Sequence, residues 1–259
     1  MSLKFIILGS GSSTGVPRAD GYSGDCDLKN KKNFRTRCSA LIKFEDQNIL
    51  IDTSPDLRSQ LLKNNIRSIS KVFYTHLHAD QTHGINDLRP FFLINKKQVP
   101  VYADSNTKKY LLSTFKYLFK STYGYPSILT INNLKNQHQI TNRNKKIKIE
   151  SIPVQHGKIK SICYLINNQL AYASDISLFF KKDYKKLKNL DYLIIDCLWY
   201  RNHSSHFNLD QVLELVKILT PKKTILTNMH SDLDYAKLKK RLPKNIIPGF
   251  DGMTVSLKN

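Results

Sequence analysis

Acidic residues are scarce in this chain. Twenty Asp and Glu stand against 41 Lys and Arg in 259 residues, a net charge of +21. Such an imbalance raises nucleic acid as a partner. Lysine, however, greatly outnumbers arginine, and Asn and Ile are abundant, as an AT-rich coding sequence imposes. The lysine clusters, such as Lys29 to Lys32 and Lys181 to Lys188, read as solvated helix faces. The charge alone therefore supports only non-specific binding of polyanions. Cysteine is also rare. Cys26, Cys38, Cys163 and Cys197 are widely spaced with no Cys-x-x-Cys, and three lie in or at apolar runs. Buried reduced thiols and a reducing, cytoplasmic setting follow. Long apolar runs are missing too. Phe5-Ile6-Ile7-Leu8 passes at once into Gly9-Ser10-Gly11, too short for a signal-peptide core, and nothing approaches a membrane span. Glycine and proline are few while 41% of residues are hydrophobic, which excludes a disordered chain. The length suits a single domain over 1–259.

What is present is concentrated in Tyr74-Thr75-His76-Leu77-His78-Ala79-Asp80-Gln81-Thr82-His83-Gly84, directly after the strand-like Lys71-Val72-Phe73-Tyr74. Imidazole and carboxylate are the ligands of a borderline divalent metal. His76 and His78 alternate with Leu77, so an extended backbone points both to one side. Gly84 offers a sharp turn into the next element. Other ligand-type residues close other apolar runs: His156 after Ile147 to Gln155, Asp175 after Leu170 to Ser174, and His230 after Thr224 to Met229. Open α/β sheets build their sites at such carboxyl ends. One histidine there is usually structural, but four strand ends carrying His or Asp point to a metal centre.

These motifs resemble the metallo-β-lactamase superfamily of hydrolases, whose hallmark is His-x-His-x-Asp-His after a strand, followed by a separate His, an Asp and a final His. Asp52, in Ile49-Leu50-Ile51-Asp52-Thr53, resembles the buried aspartate of its first motif. Leu8 to Arg18, Arg35 to Leu41 and Gly84 to Pro90 are similar to the phosphodiesterase branch. That branch holds the PhnP-like phosphoribosyl cyclic phosphate phosphodiesterases and the tRNA-processing ribonuclease Z. The resemblance implies a four-layer αββα sandwich, where the residues alone give only α/β. It implies two divalent ions, zinc or manganese. His76, His78 and His156 would hold the first, Asp80 and His230 would help hold the second, and Asp175 would bridge them. Gln81 stands where the family has His, which makes the second site harder and weaker. His83 is a distant substitute. The family's extra zinc on clustered cysteines is not expected, since only Cys26 remains in that loop.

The reaction implied is attack of metal-bound hydroxide on a small, cyclic ribose or nucleotide phosphodiester. Asp80 would position the nucleophile. His206, with His203 second, would serve the leaving group, and Arg18, Arg37 and Arg89 are candidate phosphate contacts. The Gly9-Ser10-Gly11-Ser12 loop lacks the Lys-Ser/Thr of a Walker motif. The partners expected are a small phosphodiester, nucleic acid only non-specifically, no membrane, and at most a second copy of the chain as a homodimer. A tRNA nuclease is the alternative. Only a short hairpin separates His156 from Asp175, leaving no room for a tRNA-gripping arm, and the His-Glu-Ala-Thr motif is missing. A non-catalytic sensor on a degenerate hydrolase fold is the alternative of another class, favoured only by Gln81.

The expected elements are a first strand (4–8), a long loop, a hairpin (38–44 and 48–52), and a helix capped by Ser54 with Pro55 in its first turn. Strands and helices then alternate. The stretch 121–144 reads as irregular. A basic helix is expected over 178–187, and helix 209–219 follows the His203 and His206 loop.

Overall fold

The computed structural model describes residues 3–122 and 124–258. In chain order the elements are β1 (Leu3–Gly9), β2 (Ser39–Phe44), β3 (Gln47–Ile51), α1 (Leu57–Lys63), β4 (Lys71–Phe73), α2 (Ala79–Thr82), α3 (Arg89–Asn95), β5 (Val99–Ala103), α4 (Ser105–Thr114), α5 (Lys116–Phe119) and β6 (Leu129–Asn133). They continue as β7 (Gln137–Asn142), β8 (Lys145–His156), β9 (Ile159–Ile166), β10 (Leu170–Ala173), α6 (Tyr184–Leu187), β11 (Tyr192–Asp196), α7 (Leu209–Leu219), β12 (Lys223–Thr227), α8 (Tyr235–Arg241), β13 (Ile246–Pro248) and β14 (Met253–Leu257).

The strands form two seven-stranded sheets, β14-β1-β2-β3-β4-β5-β6 and β13-β12-β11-β10-β9-β8-β7. Each has the same grammar. Antiparallel pairing links β14 through β3 in one and β7 through β10 in the other. Parallel pairing then links β3 through β6 and β10 through β13. Parallel neighbours need crossovers, and helices supply most of them. Phe5, Phe44, Ile49 and Phe73 of one sheet meet Ile147, Tyr164, Tyr172 and Ile194 of the other in the central core. Helices cover the outer faces: Leu57, Phe91 and Leu111 pack on the first sheet, and Val212, Leu215 and Leu238 on the second. Apolar side chains on both faces of each sheet dictate this αββα sandwich. Tyr164 ties the sheets together by donating its hydroxyl to the Tyr74 carbonyl at 2.6 Å.

Several local expectations change. The first helix begins at Leu57 with Asp56 at its N-cap, so Ser54 and Pro55 precede it. Ser54 instead accepts from the Asp56 amide in a local turn. The expected irregular stretch contains β6 and β7, edge strands too polar to show clear alternation; Tyr123 within it lies outside the described residues. The basic helix shrinks to a 3₁₀ turn, Lys181–Asp183, and the one-turn α6. Helix α7 appears as expected, locked by a capping box between Asn208 and Gln211. All four cysteines are buried and free.

Gly84 serves a purpose other than a turn. Its φ of −83° suits any residue, but a Cβ there would lie 1.9 Å from the Ser54 carbonyl oxygen. The chain after the histidine motif is pressed onto the segment after β3, and Gly84 donates its amide to Thr53 at 2.8 Å. We expect Gly84→Ala to lose about 3 kcal/mol or more of stability, since the obstruction is backbone. A urea midpoint equal to the parent's would contradict this contact.

Candidate metal centre

The site is assembled where strand ends of both sheets meet. Asp52, fully buried after β3 with φ of 62°, accepts from the Thr75 amide and from the Thr75 hydroxyl, each at 2.7 Å. With its proton committed to Asp52, Thr75 Oγ1 must accept from His76 Nδ1, 3.0 Å away. His76 Nε2 is therefore left as a lone pair. Burial pushes His76 down to about 3, against the pull of Asp175, so it is neutral near pH 7. His156, the last residue of β8, obeys the same logic. Its Nδ1 lies 2.7 Å from the Ser205 carbonyl, which can only accept, so Nε2 again carries no proton. Burial lowers its pKa as well.

These two lone pairs converge on a third imidazole. His78 Nδ1 lies 3.1 Å from His76 Nε2 and 3.3 Å from His156 Nε2. A tetrahedral zinc with bonds of about 2.0–2.1 Å separates its ligand nitrogens by about 3.3–3.4 Å. The spacing of all three rings, with the tautomers and neutral state of His76 and His156, thus fits a divalent ion held by His76, His78 and His156.

Asp175, just beyond β10, joins His156 and His206 in a second group whose ligand atoms lie within 4.8 Å of one another. Burial favours its neutral form, but His76, His206 and His156 outweigh this and hold its pKa below the usual value. Asp80, in α2, is pushed up to about 6 by burial and by Asp175. The buried Gln81 lies between them, donating Nε2 to Asp80 Oδ2 at 3.2 Å and to Asp175 Oδ2 at 3.0 Å. His83 points elsewhere and bonds the Tyr110 hydroxyl at 2.8 Å.

His206 Nδ1 sits 2.6 Å from Oδ2 of the fully buried Asp196. Burial disfavours the imidazolium, but the charge and hydrogen bond of Asp196 overcome it and raise His206 to about 9. His203 is exposed and turned to Ser205, its ring 5.1 Å from that of His206.

His230 is not part of either group. Strand β12 ends at Thr227, and the next residue, Asn228, takes a left-handed turn at φ of 59°. Asn228 is buried at that strand end, its Nδ2 3.2 Å from Asp175 Oδ1. Two residues later the chain has turned away, and the His230 ring stacks on Trp199 at 4.7 Å while its Nδ1 accepts from the Asp232 amide. Asn228 and Asp196 are the residues that sequence reading missed. Asp196 carried the signal used elsewhere, a carboxylate closing an apolar strand.

The arginines divide. Arg37 grips Asp56 with two 2.8 Å bonds, and this pairing raises its pKa. Arg18 pairs with Asp20 and lies over the Tyr22 ring, and Arg89 lies 5.4 Å over the Tyr125 ring. Neither has a described contact with the histidines.

Comparison with known proteins agrees with this fold. Residues 47–229 match the model of the beta-lactamase superfamily domain. A crystal structure of a diphosphatase from the PhnP family superposes with a TM-score of 0.88 at 30% identity, covering 99% of this chain and 98% of that one. The octanoyltransferase of Porphyromonas gingivalis is 29% identical over 255 residues, 97% of this chain but 51% of that protein. The ribonuclease Z of Prochlorococcus marinus (strain MIT 9215) is 29% identical over 125 residues, 46% of this chain and 39% of that protein. The chain thus spans about half the length, or less, of these curated relatives. On the match to the superfamily domain and the end-to-end similarity to the diphosphatase, this chain belongs to the beta-lactamase superfamily and, within it, to the PhnP family.

Proposed function

We propose that the chain is a metal-dependent hydrolase of small phosphodiesters, a cyclic ribose or nucleotide phosphate being the substrate class. The observation that carries this reading is the convergence of two proton-free imidazole nitrogens and a third imidazole beside Asp175 and His206. His76, His78 and His156 would hold a divalent ion, zinc or manganese, which when bound would supply Lewis acidity and a water acidified to a pKa of about 7. The protein's own groups supply the rest. Asp175, beside His156, balances charge. Asp80, with its raised pKa, accepts a proton from the attacking water. His206, kept protonated by Asp196, donates to the departing oxygen. Arg37, fixed by Asp56, is the arginine we assign to a phosphate contact. The four buried free thiols suit a reducing, cytoplasmic compartment. No helix of the described residues is long and apolar enough to cross a membrane.

The ribonuclease Z similarity and the net charge favour a second reading, an RNA-processing nuclease. Against it, only the β9–β10 hairpin lies between His156 and Asp175. The two readings separate by salt. RNA binding by scattered lysines should fade steeply as salt rises, whereas turnover of a small diester should persist at a few tenths molar. The test is hydrolysis of bis-p-nitrophenyl phosphate and cyclic nucleotides, beside cleavage of precursor tRNA, with zinc or manganese. Site-specific tRNA cleavage without activity on any small diester would promote the nuclease.

A further inference from the structure

The neighbourhood of Asp175 holds a buried carboxylate, a half-buried one in Asp80, and two buried amides. Asp80 and Asp175 together need a counter-charge or hydrogen-bond donors, because neither can donate when ionised. In this fold that need is met by side chains. Gln81 Nε2 reaches both carboxylates, at 3.2 and 3.0 Å, and Asn228 Nδ2 reaches the other oxygen of Asp175 at 3.2 Å. Both oxygens of Asp175 are thus already engaged by N–H groups.

We infer that the Gln81–Asn228 amide pair takes the place of a second metal ion, so that this centre holds one ion rather than two. The inference rests on the reading that His76, His78 and His156 hold the first ion. It goes beyond the weakening that Gln81 alone implies, because Asn228 approaches the same carboxylate from a different strand end. Neither amide is fixed by chance. Gln81 is held in α2 with its backbone carbonyl accepting from the Thr53 amide at 2.8 Å. Asn228 follows β12 in a left-handed conformation that Asn tolerates better than most residues.

For an ion to enter between Asp80 and Asp175, both amides would have to turn their oxygens inward and withdraw the N–H groups that now bond the carboxylates. Two neutral amide oxygens would then replace the imidazoles that zinc prefers. The arrangement has its own cost, since the buried Gln81 Oε1 has no partner among the described residues. That cost is borne because an N–H facing two carboxylates is worth more than a second amide contact. The three-histidine cluster, by contrast, has no N–H donor able to satisfy both lone pairs. One position is built for a cation and the other is closed by hydrogen bonds.

The experiment uses the full chain, stripped with a chelator and reloaded with excess zinc or manganese, then freed of unbound ion. Metal content is measured by mass spectrometry, and the manganese form by electron paramagnetic resonance. The parent should retain one ion per chain and give the six-line spectrum of an isolated manganese. Gln81→His/Asn228→His should retain two and give the spectrum of a coupled pair. Two ions in the parent would overturn the inference, as would a folded double variant that still binds one. No ion in either would instead bring down the three-histidine reading. Should the double variant not fold, the parent's stoichiometry and spectrum decide the matter by themselves.

Discussion

His76→Ala/His78→Ala should strip the protein of its metal and abolish turnover of small phosphodiesters. The substitutions remove two of the three nitrogens that meet at 3.1 and 3.3 Å and leave His156 as a single imidazole. One imidazole beside a carboxylate does not make a tight zinc site. The expected fall in zinc affinity exceeds about 100-fold, beyond the 10–100-fold that loss of a supporting group alone produces. The check does not need activity. A ligand that binds only the folded state raises thermal stability in proportion to the logarithm of its concentration over its dissociation constant. Zinc should therefore raise the melting temperature of the parent and leave that of the double variant unchanged. Unaltered metal content in a folded variant would remove these histidines from the centre.

His206→Ala should lower turnover by about 10²–10⁴-fold, the usual contribution of a positioned proton donor or acceptor. The loss should be greatest for diesters with poor leaving groups, because an alkoxide needs the proton more than a nitrophenolate does. Metal content should not change. His206 is tied through Nδ1 to Asp196, and its ring, 4.7 Å from that of His156, sits beside the cluster without a bond to His76 or His78. A uniform loss across leaving groups, together with loss of metal, would identify His206 as a ligand and not a proton donor.

The His-x-His pair was legible because spacing alone decides it: alternate residues of an extended chain share a side, whatever the rest of the fold does. The hydrophobic patterns likewise marked most buried strands and helix α7, whose apolar face and capping residues are local properties. Buried free cysteines followed from their apolar neighbours. Edge strands β6 and β7 were not legible. Half-exposed and polar, they show little alternation, and pairing with β5 and β8 makes them strands. The start of α1 was set two residues later than its cap-like Ser54 suggested, because Ser54 satisfies a nearer amide.

At the centre the division is sharper. Sequence determined which residues have ligand chemistry and that they end strands. It could not rank Asn228 against His230, because the choice depends on where β12 stops beside β11 and on a left-handed turn at the next residue. Nor could it join Asp196 to His206, or Gln81 to Asp175 across 94 positions of chain. Those contacts arise from the order of β10, β11 and β12 in one sheet and from the packing of that sheet against the one bearing β4. Local pattern fixes the direction of a side chain, but only the packed sheets bring their carboxyl ends to the same point, where burial and neighbouring charge then set each group's protonation.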